Sequence, residues 1–198
     1  MATRIEVAGP VDERVWLQRA VLVLVRPYEV FRAMRDDSDA AARARSEAVL
    51  ALVILSGIGT VLWTPVAGTV MDVNGPHASD GLDVAIWAFF LGGAYGAVFY
   101  FLGGLVLYAL TRAVGGITYR QARHVLAFAS APVALSLLFL WPVRLAVYGE
   151  DLFRTGGSDR GAGNTAFVVL GLLVVVWSLA LLVLGLRAVR GQPGLERG

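Results

Sequence analysis

The sequence contains no cysteine and no lysine, and few of its residues carry a charge. Without cysteine, the chain can form no disulfide, no thiolate nucleophile and no cysteine-ligated metal site. Only 16% of the residues are charged and 57% are hydrophobic, whereas about 25% of the residues in soluble domains are charged. This composition predicts a membrane protein, and 198 residues suit one compact unit without a separate catalytic domain.

Long apolar runs dominate the rest of the chain. We number them spans one to four, and they cover residues 49–70, 84–110, 125–148 and 165–186. A helix of about 20 residues crosses the roughly 30 Å hydrocarbon core, and each run is at least that long. Barrel strands would be only about ten residues long and would alternate apolar with polar residues. The sequence therefore predicts an all-α, polytopic membrane bundle of four transmembrane helices.

The arginines are distributed unevenly around these spans. Fourteen of the 17 basic residues precede span one, separate spans two and three, or follow span four. Because basic loops stay in the cytoplasm, we expect both termini to be cytoplasmic in a multi-pass protein of the cell (plasma) membrane. Residues 1–46 form the predicted N-terminal segment, 47–190 the membrane domain and 191–198 the tail. The early apolar run AVLVLV is too short for a cleaved signal peptide.

A short segment before span one, RPYEVFRAMR, combines aromatic, apolar and basic residues. Pro27 suits the first position of a helix, and Phe31 and Met34 then fall on one helical face. We expect a cytoplasmic amphipathic helix here, with two placements open. It lies in the membrane interface with its arginines at lipid phosphates, or it packs on the ends of the spans. The candidate lipid or partner contacts in this segment are Tyr28, Phe31, Arg32, Met34 and Arg35.

The loop between spans two and three is also basic, with Arg112, Arg120 and Arg123 followed by His124. One interpretation is the ordinary excess of positive charge in cytoplasmic loops. The other is a site that binds an anionic lipid headgroup or an acidic partner. We treat the three arginines as candidate contacts for membrane lipid or a partner protein, and we expect no nucleic-acid partner.

Small residues and prolines mark spans two and three. Gly92 and Gly96 form a G-x-x-x-G pair, and Gly103 adds a further small surface to span two. Small faces let helix backbones approach closely, so we expect span two to be the central packing helix or a homo-oligomer contact. Pro132 and Pro142 lie within span three, where we expect them to kink the helix.

The spans offer little chemistry. They contain no carboxylate, histidine or lysine, which are the usual marks of proton or ion coupling in a membrane. Arg144, near the end of span three, reaches the outer surface or pairs with Glu150 or Asp151; the alternative is a role in binding an anion or headgroup. No nucleophile–base pair, paired acids or metal-ligand set is evident, so we expect neither enzymatic activity nor a cofactor or metal.

Four stretches together resemble a known family. They are RPYEVFRAM, LGGAYGAVFYFLGG, GGITYRQARHVLAFASAP and VWSLALLVLGLRAVRG, and over residues 26–191 they are similar to the Yip (Ypt-interacting protein) domain family as found in bacteria. The resemblance implies a membrane bundle that usually has five spans, whereas only QPGLERG follows the last of these stretches. Eukaryotic relatives are linked to Rab-type GTPases, but their acidic-aromatic DLYGP type of motif has no counterpart here.

Two classes of function follow from these observations. The first is a non-enzymatic scaffold or adaptor, whose basic cytoplasmic face contacts anionic lipid headgroups, a membrane-protein partner or another copy of the chain. The second is a small permease, channel or lipid-moving protein, in which a homo-oligomer builds the pathway. The shortage of polar residues inside the spans favours the first class.

Overall fold

A computed structural model of the protein describes residues 16–64, 80–112, 116–152 and 162–191. Two short helices come first: α1 is Trp16–Val25 and α2 is Pro27–Arg32, which continues into the 3₁₀ turn Ala33–Arg35. The end of predicted span one beyond residue 64, the first 15 residues and the tail from residue 192 lie outside the described residues.

Longer helices follow. Helix α3 is Asp39–Leu62. The second span joins α4 (Asp80–Val98), a π-helical turn (Phe99–Gly103) and α5 (Gly104–Arg112). The third span joins α6 (Tyr119–Ala129) and α7 (Ala131–Tyr148), which the 3₁₀ turn Gly149–Leu152 follows, and α8 is Ala162–Arg190.

Within the described ranges, four helical segments are long and apolar enough to cross a membrane. They are Asp39–Leu62, Asp83–Arg112, Tyr119–Tyr148 and Gly163–Arg190. The predicted all-α bundle with four spans is confirmed. The helices begin up to ten residues before the predicted bounds, because polar first turns add length that an apolar run does not reveal. Helix α3 also ends earlier than predicted, at Leu62.

Side-chain caps explain where two of these helices begin. The Ser38 hydroxyl accepts a hydrogen bond from the Ala41 backbone N–H at 3.3 Å, which caps α3. Thr118 and Gln121 cap α6 reciprocally, since each side chain accepts from the other residue's backbone N–H. Such a pair satisfies two backbone donors that the first turn of a helix leaves without partners.

The chain runs up and down through the bundle. Hydrogen bonds of Arg35 with Ala188 and of Arg120 with Asp37 bring together the start of α3, the start of α6 and the end of α8. We call this the basic end. The opposite end, which we call the aromatic end, is marked by contacts between Trp63 and Trp141 and between Tyr148 and Phe167.

The third span lies at the centre of the bundle. About 67% of its most apolar stretch is buried, against 22% for the second span and 11% for the fourth. It packs on α3, on α8 and on the part of the second span nearer the basic end, from Phe99 to Arg112. Of the two roles considered for the second span, that of central packing helix does not fit, because the third span is more buried; a homo-oligomer contact stays a prediction. The second span packs mainly on α3 and only slightly on α8, so a gap separates the second and fourth spans.

The two short N-terminal helices belong to the hydrophobic core at the basic end. Ala20 and Val23 of α1 and Phe31 of α2 are fully buried in one cluster with Leu52, Val125 and Phe128 of the spans. Helices α1 and α2 are therefore built into the bundle.

Only one of the two prolines of span three coincides with an interruption of the helix. Helix α6 ends at Ala129, and Pro132 lies in the first turn of α7, where its missing N–H leaves no bond unmade. Between them Ser130 has a ψ of 0°, outside the helical range, as expected when a following proline ring crowds the preceding turn. The α-helix continues through Pro142.

Candidate functional site

The apolar face of α2 points into the protein. Phe31 is 0% exposed and Met34 is 1% exposed. A Cβ at Gly185 of α8 would lie only 2.9 Å from both Phe31 and Val125, so the phenyl ring fits against the bare backbone of α8. These two side chains therefore contact the spans, which is the second of the placements considered above. Tyr28 packs beside them, half-buried.

An ion-paired cluster closes the basic end, and we call it the latch. Arg120 of α6 donates from Nε to the Asp37 Oδ1 at 2.7 Å and from Nη1 to the Asp39 Oδ1 at 2.6 Å. Its Nη2 also donates to the Asp37 backbone carbonyl. The Thr118 hydroxyl donates to the second oxygen of Asp37 at 2.7 Å. Three donors from one guanidinium make this contact geometrically specific.

The segment between α2 and α3 is held along its whole backbone. Arg45 of α3 donates to the carbonyls of Ala33 at 3.0 Å and Asp36 at 2.8 Å. The Gln121 amide donates to the Met34 carbonyl at 3.2 Å. A hydrogen bond from the Ser38 backbone N–H lowers the pKa of Asp36 below its usual value, because it stabilises the carboxylate.

Two further arginines at this end also contact the protein. Arg35 donates from Nε to the Ala188 carbonyl at 2.8 Å, near the end of α8. The Arg123 guanidinium lies over the ring of Tyr119 at 4.5 Å and also over Tyr100 at 5.1 Å. The sequence put both arginines among the candidate lipid or partner contacts, and the structure gives each of them partners within the bundle.

Other arginines at the basic end are open to binding. Arg32, Arg112 and Arg187 are exposed, and none of them forms an ion pair within the part of the chain that the structure describes. Arg112 borders a shallow depression that also includes Tyr108 and Tyr119, whose rings lie 6.2 Å apart. Guanidinium groups of this kind bind carboxylates and phosphates through paired hydrogen bonds.

The sequence comparisons agree with this architecture. The Yip1 domain family matches residues 21–197, which is most of the chain. The chain belongs to the Yip1 domain family. This is not a known enzyme family. No curated protein and no solved structure matches the chain significantly.

The glycines of the second span lie at helix contacts in this Yip1 domain protein. Gly92 and Gly96 face α3, where an added Cβ would overlap the backbone of Ile58 or Val53. Gly57 of α3 faces them in turn, against the backbone of Gly92. Gly103 faces α6, where a Cβ would lie 2.8 Å from the Leu126 side chain. Close backbone approach therefore occurs within one chain.

At the aromatic end of the Yip1 domain, Arg144 is buried among rings. It is only 9% exposed. Its guanidinium lies 4.5 Å from the ring centre of Trp63 and 5.1 Å from that of Trp141, with Phe167 at 6.0 Å. Desolvated cation–π contacts of this kind stabilise a charge near the membrane boundary. Among the described residues, Arg144 is thus surrounded mainly by rings.

A cavity of about 190 Å³ lies inside the bundle, at the gap between α4 and α8. Its lining is almost wholly apolar and includes hydroxyl groups of Ser56, Thr60, Ser130 and Ser178. No cluster of three or more histidines or carboxylates that could hold a metal is present among the described residues.

Several residues of the basic end were not predicted as site residues. Asp37, Asp39, Thr118, Gln121 and Arg45 hold the segment before α3. The opposite charges of RDDSD and YRQAR were a usable signal. The two stretches are separated by more than 80 residues, and one sequence does not reveal which distant charges meet.

Proposed function

We propose that this Yip1 domain protein is a non-enzymatic scaffold or adaptor of the cell membrane, with both termini in the cytoplasm. It acts through the basic end, where a partner protein with acidic surface groups binds. Anionic headgroups of the surrounding lipid bind the same face around the partner.

The observation that carries this proposal is that some arginines of the basic end bind groups within the protein and others are exposed. Arg120, Arg123 and Arg35 have partners inside the protein, whereas Arg32, Arg112 and Arg187 are exposed and free of ion pairs within the described residues. Arg120 and Arg35 fix the segment before α3 on the bundle, and Arg123 packs on rings of the second and third spans. Because the backbone of this surface is already fixed, binding costs conformational entropy mainly in the arginine side chains, which favours recognition of a partner.

The partner is sought by crosslinking in native membranes followed by purification and mass spectrometry. Replacing Arg32, Arg112 and Arg187 together by glutamine removes three charges without touching the core. We expect partner recovery to fall about tenfold, since exposed ion pairs contribute roughly 0.2–1 kcal/mol each. The matched control replaces the same residues by lysine, which keeps the charge and should retain most of the recovery.

Two outcomes would contradict the adaptor proposal. If crosslinking recovers only copies of this chain, the basic end has no separate partner. If purified protein moves a lipid or a solute across liposomes faster than empty vesicles allow, a permease, channel or lipid-moving function takes its place.

A further inference from the structure

The cavity inside the bundle lies at the depth of the hydrocarbon core. Ser130, at the break between α6 and α7, and Ser178 of α8 both line it. Counted along their helices from the basic end, each lies about 15–20 Å into the bundle, near the middle of a bilayer about 30 Å thick. A space at this depth is reached from lipid more readily than from water.

The mouth of the cavity lies between the second and fourth spans. On one side lie Tyr95 of α4 and Phe99, the first residue of the π-helical turn. Their rings stack with the centres 6.4 Å apart. On the other side are Val175 and Leu179 of α8. All four side chains are partly exposed, and the two spans pack little on each other. The medium at this mouth is therefore the hydrocarbon of the membrane.

The lining is better suited to hydrocarbon than to a charged ligand. The hydroxyls of Thr60 and Ser130 already donate to the Ser56 and Ala127 carbonyls at 2.7 and 2.8 Å. The buried Ser178 hydroxyl has no hydrogen-bond partner among the described residues. The hydroxyls that already donate keep only acceptor capacity, so the lining offers few polar partners beside a much larger apolar surface. What remains is a surface of methyl, methylene and ring groups.

We propose that this cavity holds part of the hydrocarbon chain of a membrane phospholipid, which enters sideways between α4 and α8. The volume of about 190 Å³ exceeds the roughly 150 Å³ of an apolar cavity that binds benzene, so several carbon atoms fit. Occupation is favoured because the lining of an empty space loses its dispersion contacts. Binding of a chain in this place does not depend on the adaptor function.

The test uses the full chain in nanodiscs of phosphatidylethanolamine and phosphatidylglycerol. A small share of the lipid carries a photoreactive diazirine in the middle of one acyl chain, and peptide mass spectrometry locates the adducts. We expect adducts at Ala129 and Ser130, which are buried from the outer surface of the bundle. A matched lipid with the diazirine in its headgroup should not label these residues.

A filling variant makes the test specific. In Ser178→Leu the larger side chain leaves less space than the about 150 Å³ that holds a benzene ring, so labelling at Ala129 and Ser130 should fall severalfold. Leu173→Phe adds bulk at an exposed position on the opposite face of the same helix and should leave that labelling unchanged. If Ser178→Leu does not elute as a folded protein, Val175→Trp at the mouth replaces it. Its labelling at Ala129 and Ser130 is compared with that of the unsubstituted protein and should also fall.

Three results would overturn the proposal. One is labelling confined to exposed residues in the unsubstituted protein. Another is equal labelling of the cavity by the chain and headgroup probes. The third is labelling of Ala129 and Ser130 that the filling variants leave unchanged.

Discussion

Arginine serves three purposes in this Yip1 domain protein, and its surroundings decide which. Arg120 meets two carboxylates and a carbonyl with the fixed fork of its guanidinium. The guanidinium groups of Arg123 and Arg144 lie over aromatic rings. Arg112 is exposed and without an ion pair among the described residues. Lysine, a point charge on a flexible stem, fits the first two uses poorly.

The latch at Arg120 can be tested at the level of one residue. Arg120→Gln removes the donors to Asp37 and Asp39, so the segment 33–38 should exchange its amide hydrogens faster in hydrogen–deuterium exchange. Arg112→Gln removes the same charge from an exposed position at the same end and should leave that exchange unchanged. Equal exchange in both variants would show that the latch does not hold the segment.

Single residues were only partly predictable from the sequence. Arg112, Arg120 and Arg123 were recognised as one basic cluster, but their different surroundings were not. Asp37 and Arg120 lie 83 positions apart, and nothing in the composition of either stretch indicates that they pair. Burial of Phe31 was one of two alternatives, because an amphipathic helix has the same pattern whether lipid or protein covers it.

Helices α3 and α4 form the closest helix pair in the bundle. Gly57 of α3 and Gly92 and Gly96 of α4 bring the two backbones into direct contact. In a membrane, lipid tails are as apolar as leucine, so helices associate through close packing rather than through the hydrophobic effect. The stability of this pair should therefore depend on its glycines.

Two neighbouring glycines of α4 allow a matched comparison. In Gly96→Ala the new methyl group meets the Val53 carbonyl, whereas in Gly93→Ala it meets nothing within 4 Å. We expect Gly96→Ala to lower the free energy of unfolding by about 1–3 kcal/mol through overpacking. Gly93→Ala should be neutral or stabilising by up to about 1 kcal/mol, because alanine favours a helix.

The midpoint of thermal unfolding in detergent is measured for both variants, with size-exclusion chromatography as the readout of the folded fraction. Equal midpoints for Gly96→Ala and Gly93→Ala would contradict the close contact between α3 and α4.

The helices themselves were predicted well, but their arrangement was not. Long apolar runs identify spans because the bilayer fixes their length. These runs are apolar on all sides, so no periodicity distinguishes an inner face from a lipid-facing one. For this reason the glycine-rich second span was expected to be either the central packing helix or a homo-oligomer contact, whereas the third span is the most buried.

At the scale of the whole molecule, the first and the last membrane-spanning helices both have their outer ends, towards the chain termini, at the basic end. The start of α3 and the end of α8 meet there through Arg35 and Ala188. With the excess of arginine on this side, we predict that both termini are cytoplasmic.

Reporter fusions at the C-terminus measure this orientation. Green fluorescent protein fused there should fluoresce, and alkaline phosphatase, which is active only outside the cytoplasm, should not. The same two reporters fused at residue 156, between α7 and α8, should give the reverse pattern and serve as the control. Phosphatase activity at the C-terminus would show that the number of crossings or the orientation is different.

The length of the π-helical turn Phe99–Gly103 determines which neighbours the second span can reach. In an uninterrupted α-helix Gly96 and Gly103 would share a face, because the residues between them make about two turns. Instead Gly96 faces α3 and Gly103 faces α6. The extra residue of the turn rotates the faces of the following helix by about a quarter turn relative to α4. If the turn became regular α-helix at unchanged length, Gly96 and Gly103 would lie on one face, and they could not both keep their present neighbours.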